Sequence, residues 1–275
     1  MAARDISSSI PSRSAEPEVY EPRNRREAGI IRWLNDHGVS IVFNPPGGLS
    51  SATPSTIRLN PEDGTSVLFH EAAHTWLNRF GYSSIYRYQM PEGLQERARA
   101  LEYRQLDRMI GRIIDLEERL RPDERRTLIA VFGLPESGVA PVSNPRRGST
   151  IAERASIIGN LVDETATLGR PRDVGHPIHG FHEFFASSMA TLAFDGERFF
   201  RSLQRLERLA EESPRYRRLY ETTLELLRKV HELGQSMFQE IRQAQVPDMH
   251  RFERNMARLG KFIELETPRQ ERARL

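Results

Sequence analysis

His70, Glu71 and His74, in the stretch Ser66-Val-Leu-Phe-His-Glu-Ala-Ala-His-Thr-Trp-Leu77, have the types and the spacing for metal chemistry. On a helix, residues four apart lie one turn apart on the same face, so the two imidazoles can grip one Zn²⁺. Glu71, beside the first of them, then points toward the remaining coordination position. A carboxylate there can take a proton from a water whose pKa the metal has lowered to roughly 7. The segment is expected to be a buried helix. Phe69, Ala73, Trp76, Leu77 and Phe80 recur at helical spacing and make one side apolar, while the two histidines occupy another.

Composition limits what else can take part. The chain has 275 residues, enough for one large domain or a domain with an appendage. It contains no cysteine, which rules out disulfides and thiolate zinc sites and leaves His and carboxylate as the protein ligands. No apolar run reaches about 18 residues, so no membrane span is expected. The N-terminus lacks the basic-then-apolar layout of a secretory signal. The expectation is a protein that is cytoplasmic in the producing cell, or exported without a classical signal peptide into a target cell. A formal charge of +2 and a pI near 9.1 would fit a nucleic-acid binder. The distribution of charge argues otherwise. Of 40 basic residues all but Lys229 and Lys261 are arginines, and they are interleaved with acids, as in Glu96-Arg-Ala-Arg99 and Glu117-Glu-Arg119. That is the pattern of solvated helix faces, and no nucleic-acid partner is expected.

Several elements must position the His-Glu helix. Residues 1–24, rich in Ser, Pro, Arg and Glu, read as a disordered tail that could serve as a contact for a secretion machine or chaperone. A helix is expected from Arg25 to Asp36, carrying Ile30, Ile31 and Leu34 and ended by His37-Gly38, with His37 a helix-end cation and not a ligand. Val39–Phe43 and Thr56–Leu59 read as short strands separated by the turn-rich Asn44-Pro-Pro-Gly-Gly48. The order strand, short loop, metal helix would let an extended peptide lie beside the strand and over the metal.

Beyond it, Pro91 to Leu120 reads as a long helix with the stripe Tyr103, Leu106, Ile110 and Ile113, followed by a short helix from Pro122 to Phe132. Residues 134–149 read as a loop, and Thr150 to Leu168 as a helix. The loop from Gly169 to Gly180 holds His176 and His179 and opens into the apolar helix Phe181-His-Glu-Phe-Phe-Ala-Ser-Ser-Met-Ala190. After Gly196 the chain reads as wholly helical, with Pro214 and Pro247 as boundaries. Leu219, Thr223, Leu226, Val230, Leu233, Met237 and Ile241 make a packing stripe, and His231 and His250 read as polar-face residues.

A catalytic zinc commonly keeps three protein ligands and an open site. A third histidine in the long His-Glu-x-x-His-x-x-Gly-x-x-His pattern is excluded, because positions 77 and 80 are Leu and Phe. Two glutamates remain. Glu92, in Met90-Pro-Glu-Gly-Leu-Gln95, follows His74 at the distance seen in aminopeptidase-like gluzincins. Its plain reading is a carboxylate at a wet helix N-terminus. Glu183 is preferred on burial: among Phe181, Phe184, Phe185, Ala186 and Met189, an ionised carboxylate without a partner would cost several kcal/mol.

His70-Glu-Ala-Ala-His74 followed by Glu183-Phe-Phe-Ala186 resembles the gluzincin zinc metallopeptidases, in particular the catalytic domains similar to anthrax toxin lethal factor, whose third ligand lies in a Glu-Phe-Phe-Ala-Glu segment. The likeness covers residues 56–80 and 175–192. It implies one Zn²⁺ held by His70, His74 and Glu183, Glu71 as general base, and hydrolysis of peptide bonds in a protein or peptide substrate. It also implies a mainly α (α+β), zincin-like catalytic domain over residues 25–195 with a small sheet, on which the helices of 196–275 pack. Two positions depart from the family. Ser187 stands where the family has a second Glu, so any role of that acid must be weaker or filled elsewhere. His176 stands where the family has an oxyanion-stabilising tyrosine. A histidine can donate a hydrogen bond to a tetrahedral intermediate, which makes His176 the implied catalytic partner, with His179 and His182 as further candidates. A cysteine-free chain with a polar head would suit a delivered bacterial effector or toxin, and an ordinary cytoplasmic peptidase as well. The reading from a different class is a non-catalytic helical interaction protein whose His-Glu segment is inert or structural.

Overall fold

The computed structural model describes residues 20–44, 50–60, 62–132 and 180–274. In chain order these form α1 (Arg25–Asp36), β1 (Ser40–Phe43), β2 (Ser51–Ala52), β3 (Thr56–Leu59), α2 (Thr65–Arg79), a 3-10 turn (Ser84–Arg87), α3 (Leu94–Glu118), α4 (Pro122–Phe132), α5 (Phe181–Phe194), α6 (Gly196–Glu212), α7 (Pro214–Gln243) and α8 (His250–Arg274). Among the described residues the chain is mainly helical with one small sheet, as its hydrophobic periods predict. Expected features at residues 1–19, 134–149, 150–168 and 169–179 lie outside the described residues. No helix among the described residues is long and apolar enough to cross a membrane.

The axis of the fold is α2, in which every residue from Val67 to Leu77 is buried. Its most extensive packing is against α5, with α1, β2 and β3 on other sides. Phe69 meets Phe194 and Phe252 edge-on at 6.0 and 5.4 Å, and Trp76 stacks on Phe185 at 5.9 Å. Helix α5 is apolar nearly all round, as befits a helix enclosed by others. Its first turn is held from α3, where Asp107 Oδ1 accepts the Phe181 N–H at 2.7 Å. An acid there satisfies an otherwise orphaned donor and complements the positive end of the helix.

The stripe expected on α7 is buried throughout, and α7 packs on α6, α3 and α8. Gly234 makes room at this crossing. A Cβ there would come within 2.7 Å of Met256 Cε and 3.0 Å of Met189 Cε. One hydrophobic cluster therefore runs from Ile30 in α1 to Ile263 in α8, across the boundary expected near residue 195. His231 is not a simple polar-face residue. It sits over Gly260 of α8, and burial lowers its pKa.

The sheet has the order β1-β3-β2, with β1 parallel and β2 antiparallel to β3. Ile57 and Leu59 of β3 are buried and Arg58 is exposed, the alternation of a strand with one face on the core. β3 is thus the central strand. Both edges of β3 are occupied by neighbours, in the registers Ile41↔Ile57 and Ala52↔Ile57, so an extended peptide cannot pair with it. The edge strand next to α2 is β2, a two-residue element with no hydrophobic pattern to announce it.

Tyr20 corrects the other boundary. Assigned by composition to the tail, it is 4% exposed, and its N–H donates to Ile41 O at 3.5 Å. Helix α3 begins at Leu94 and not at Pro91, because Gly93 precedes it in extended conformation. Glu27 ties the N-terminal part together. Its carboxylate accepts from Tyr20 OH (3.0 Å), Arg23 N (2.8 Å), the Arg23 guanidinium (2.8 Å) and Thr65 Oγ1 (2.8 Å), and Thr65 opens α2. Burial opposes ionisation of Glu27, yet the bonds from Arg23, Thr65 and Tyr20 outweigh it and lower its pKa. Burial, with the Glu27 charge, pushes the Tyr20 hydroxyl up to about 12.

Glu27→Gln is therefore expected to lower stability by about 2–3 kcal/mol at neutral pH, read by urea unfolding, because charge-assisted bonds are replaced by neutral ones. The folded-state pKa lies below the unfolded one, so the carboxylate's contribution is complete above about pH 4.3 and is lost as pH falls through the lower folded value. The gap between the two proteins should shrink on acidification to about pH 3, and a constant gap would show that the charge of Glu27 is not what stabilises this joint.

Candidate metal centre

His70 and His74 stand one turn apart in the middle of α2, and their Nε2 atoms approach to 2.9 Å with the rings at 82°. Glu183 reaches them from the first turn of α5. Its Oε2 lies 3.5 Å from His70 Nε2 and its Oε1 lies 3.3 Å from His74 Nε2. Among the described residues this is the one group of three such side chains whose ligand atoms all lie within 4.8 Å of each other. Donors at about 2.0–2.1 Å from one tetrahedral zinc sit about 3.3 Å apart; the two Glu183 contacts match that spacing, and the 2.9 Å between the imidazole nitrogens needs to open by a few tenths of an ångström. The donor set fits too, being two imidazoles and a carboxylate, as in catalytic zinc sites.

The site is dry on one side only. The His70 and His74 side chains are 2% and 10% exposed, and that of Glu183 is 24% exposed. Its neighbours Phe181, Phe184, Phe185, Ala186 and Met189 are fully enclosed, as expected, but Glu183 itself is half-buried. The acid leaves the apolar packing and turns toward the histidines, and the water-facing side of the group is the Glu183 side. Glu71, the residue after His70, is buried in the same helix. Glu92, the alternative third ligand, is exposed in the turn before α3 and is not one of the converging residues.

His182 does not lie on the exposed, Glu183 side of the group. It is buried behind His74, with Nδ1 2.8 Å from His74 Nδ1 and Nε2 2.9 Å from the Tyr82 carbonyl oxygen. The position of a side chain on α5 follows from the helical turn, and residue 182 lies about 100° round from residue 183. His176 and His179 lie outside the described residues. Ser187 is buried one turn after Glu183. His37 caps α1, its Nδ1–H donating to Trp33 O at 2.6 Å, far in role from a ligand.

Three contributors carry no motif. Tyr82 OH donates to Glu102 Oε2 at 2.5 Å, and Lys229 Nζ lies 2.7 Å from Glu102 Oε1 and 5.6 Å from the Tyr82 ring centroid. Burial and the bond to Glu102 push the Tyr82 hydroxyl up to about 12. Burial opposes the charge on Lys229, but the bonds to Glu102 and Glu232 win and raise its pKa. The only sequence signal was Lys229 itself, a lysine in a chain that otherwise uses arginine almost throughout. Helix α2 is fastened at two further points. Thr75 Oγ1 donates to Thr53 O at 3.1 Å in the β2–β3 turn, and Trp76 Nε1 donates to Glu240 Oε1 at 2.9 Å in α7.

The chain matches no family model, no curated protein and no solved structure.

If the three converging residues form the metal site, Glu183→Ala should weaken zinc binding by more than about 100-fold, beyond the loss typical of outer-shell changes, while Glu92→Ala keeps full affinity. Competition with a chelating dye measures both. Zinc lost from Glu92→Ala and retained by Glu183→Ala would reverse the assignment.

Proposed function

We propose that this protein is a zinc-dependent peptidase of the gluzincin kind, with His70, His74 and Glu183 as ligands and Glu71 as general base. The observation that carries the reading is the approach of Glu183 Oε1 and Oε2 to 3.3 and 3.5 Å from the imidazoles of a helix more than a hundred residues earlier in the chain. A zinc ion bound there supplies Lewis acidity toward a carbonyl and a nucleophile at neutral pH.

The chain's own residues do the rest. Glu71, next to His70 and shielded from bulk water, takes the proton of the attacking water and returns it to the leaving amine. Enclosure of the histidine side by α2 and α5 keeps the local dielectric low, which strengthens charge stabilisation where the reaction occurs. Substrate enters from the Glu183 side, where the group meets solvent, and the outer edge of β2, which pairs with no further strand among the described residues, offers main-chain hydrogen bonds to an extended protein or peptide segment. His182 is committed to His74 and leaves the oxyanion to another group, for which the family likeness suggests His176.

The test is the conservative variant Glu71→Gln. Zinc-loaded wild type, incubated with unfolded protein and peptide mixtures, should yield new termini by mass spectrometry. Glu71→Gln should bind zinc equally and cleave about 10²–10⁴-fold more slowly. No cleavage by the loaded wild type across those substrates, or equal cleavage by the variant, would favour a non-catalytic helical interaction protein instead.

A further inference from the structure

We infer that His182 is a positioning residue that, together with the main-chain carbonyl of Tyr82, fixes the tautomer of His74 so that its Nε2 faces the metal site with a lone pair. The inference rests on the metal-site reading above, but half of its test needs no metal.

The Tyr82 carbonyl oxygen can only accept, so the 2.9 Å contact requires the proton of His182 to sit on Nε2. A neutral imidazole with its proton on Nε2 has an accepting Nδ1. The atom 2.8 Å from that Nδ1 is His74 Nδ1, which must therefore donate. His74 then carries its lone pair on Nε2, the nitrogen that lies 2.9 Å from His70 Nε2 and 3.3 Å from Glu183 Oε1. The two ring planes differ by only 8°, which suits an N–H···N bond lying in both rings. The relay has one direction, and it ends at the atom a metal needs.

Both ends of the relay are anchored. Tyr82 is held by its N–H on Leu77 O at 3.0 Å, in the last turn of α2, and by its hydroxyl in the Glu102–Lys229 pair that joins α3 to α7. His182 is held by α5, in the same turn as Glu183. Consecutive residues of one helix thus do two jobs, one supplying a ligand and the other orienting a ligand on the facing helix. Metal-binding histidines generally use their second ring nitrogen in this way, most often on a carboxylate or a carbonyl. Here a second imidazole is interposed between the ligand and the carbonyl. This also answers where an outer-shell partner comes from in a chain that has Ser187 one turn after Glu183.

The competing role is a histidine that merely fills space in the core. His182→Gln separates the two, because an amide can accept from His74 Nδ1–H through its oxygen and donate to Tyr82 O through its nitrogen. His182→Leu fills similar volume and can do neither. At constant neutral pH, zinc affinity by dye competition should fall about 10–100-fold in His182→Leu and stay close to wild type in His182→Gln, with thermal melting recorded for both as the control for packing. In the metal-free wild type, nitrogen-15 NMR of the imidazoles should find the proton of His74 on Nδ1 and that of His182 on Nε2. A His74 proton on Nε2 in wild type, or equal zinc affinity in the wild type and His182→Leu, overturns the inference. If wild type binds no zinc, the metal-site reading falls, while the NMR result still decides the relay. If His182→Leu does not fold, the wild-type tautomers and the His182→Gln affinity decide it.

Discussion

A helix enclosed along its whole middle cannot carry two imidazoles and an acid without giving them partners. Unpaired burial of such groups costs several kcal/mol each, a large part of the net stability of any domain. In α2 that constraint falls on His70, Glu71 and His74, all buried between Val67 and Leu77. The partner for the two histidines comes from the facing helix as Glu183, and His74 gains a second from His182. Much of the fold can be understood as the means of holding α2 and α5 at the separation where these contacts form.

The fastenings are polar and lie around the apolar contact, not within it. Glu27 secures the start of α2, Thr75 and Trp76 secure its second half, and Asp107 secures the start of α5. At the other end of α5, Asn255 Nδ2 donates to Leu192 O at 2.7 Å, tying it to α8. Apolar packing between two helices tolerates small slides, whereas a hydrogen bond weakens steeply with misalignment. Bonds at both ends of each helix therefore set a register that packing alone would leave loose. They also draw α7 and α8 into the service of the site, so the helices after residue 195 are part of the same core and not an appendage to it.

Much of this was legible in the order of residues. The period of 3.6 in α3 and α7 placed Tyr103, Leu106, Ile110 and Ile113, and Leu219 through Ile241, on buried faces where they are found. The preference for Glu183 over Glu92 followed from its apolar neighbours, and the structure brings Glu183 and not Glu92 to the histidines. How deeply Glu183 is buried was not legible there, because neighbours in sequence describe a helix all round while a single side chain leaves on one side. Nor was the direction of His182, which depends on which face of α5 meets α2. The central place of β3 was invisible for a related reason: two residues, Ser51 and Ala52, occupy one edge of β3 through main-chain bonds that any side chain would permit.

The division between the two kinds of information has a simple physical origin. Interactions within one helical turn depend on a rise and rotation that all residues share, so the pairing of His70 with His74, the nearness of Glu71 and the apolar faces of the long helices were implied by spacing alone. Contacts between distant segments depend on how faces meet in three dimensions. Those contacts chose the acid that joins the histidines, turned His182 toward the back of His74, and made a carbonyl at Tyr82 the end of a proton-ordering chain. A backbone carbonyl has no letter in a sequence, and its role exists only where the fold delivers it.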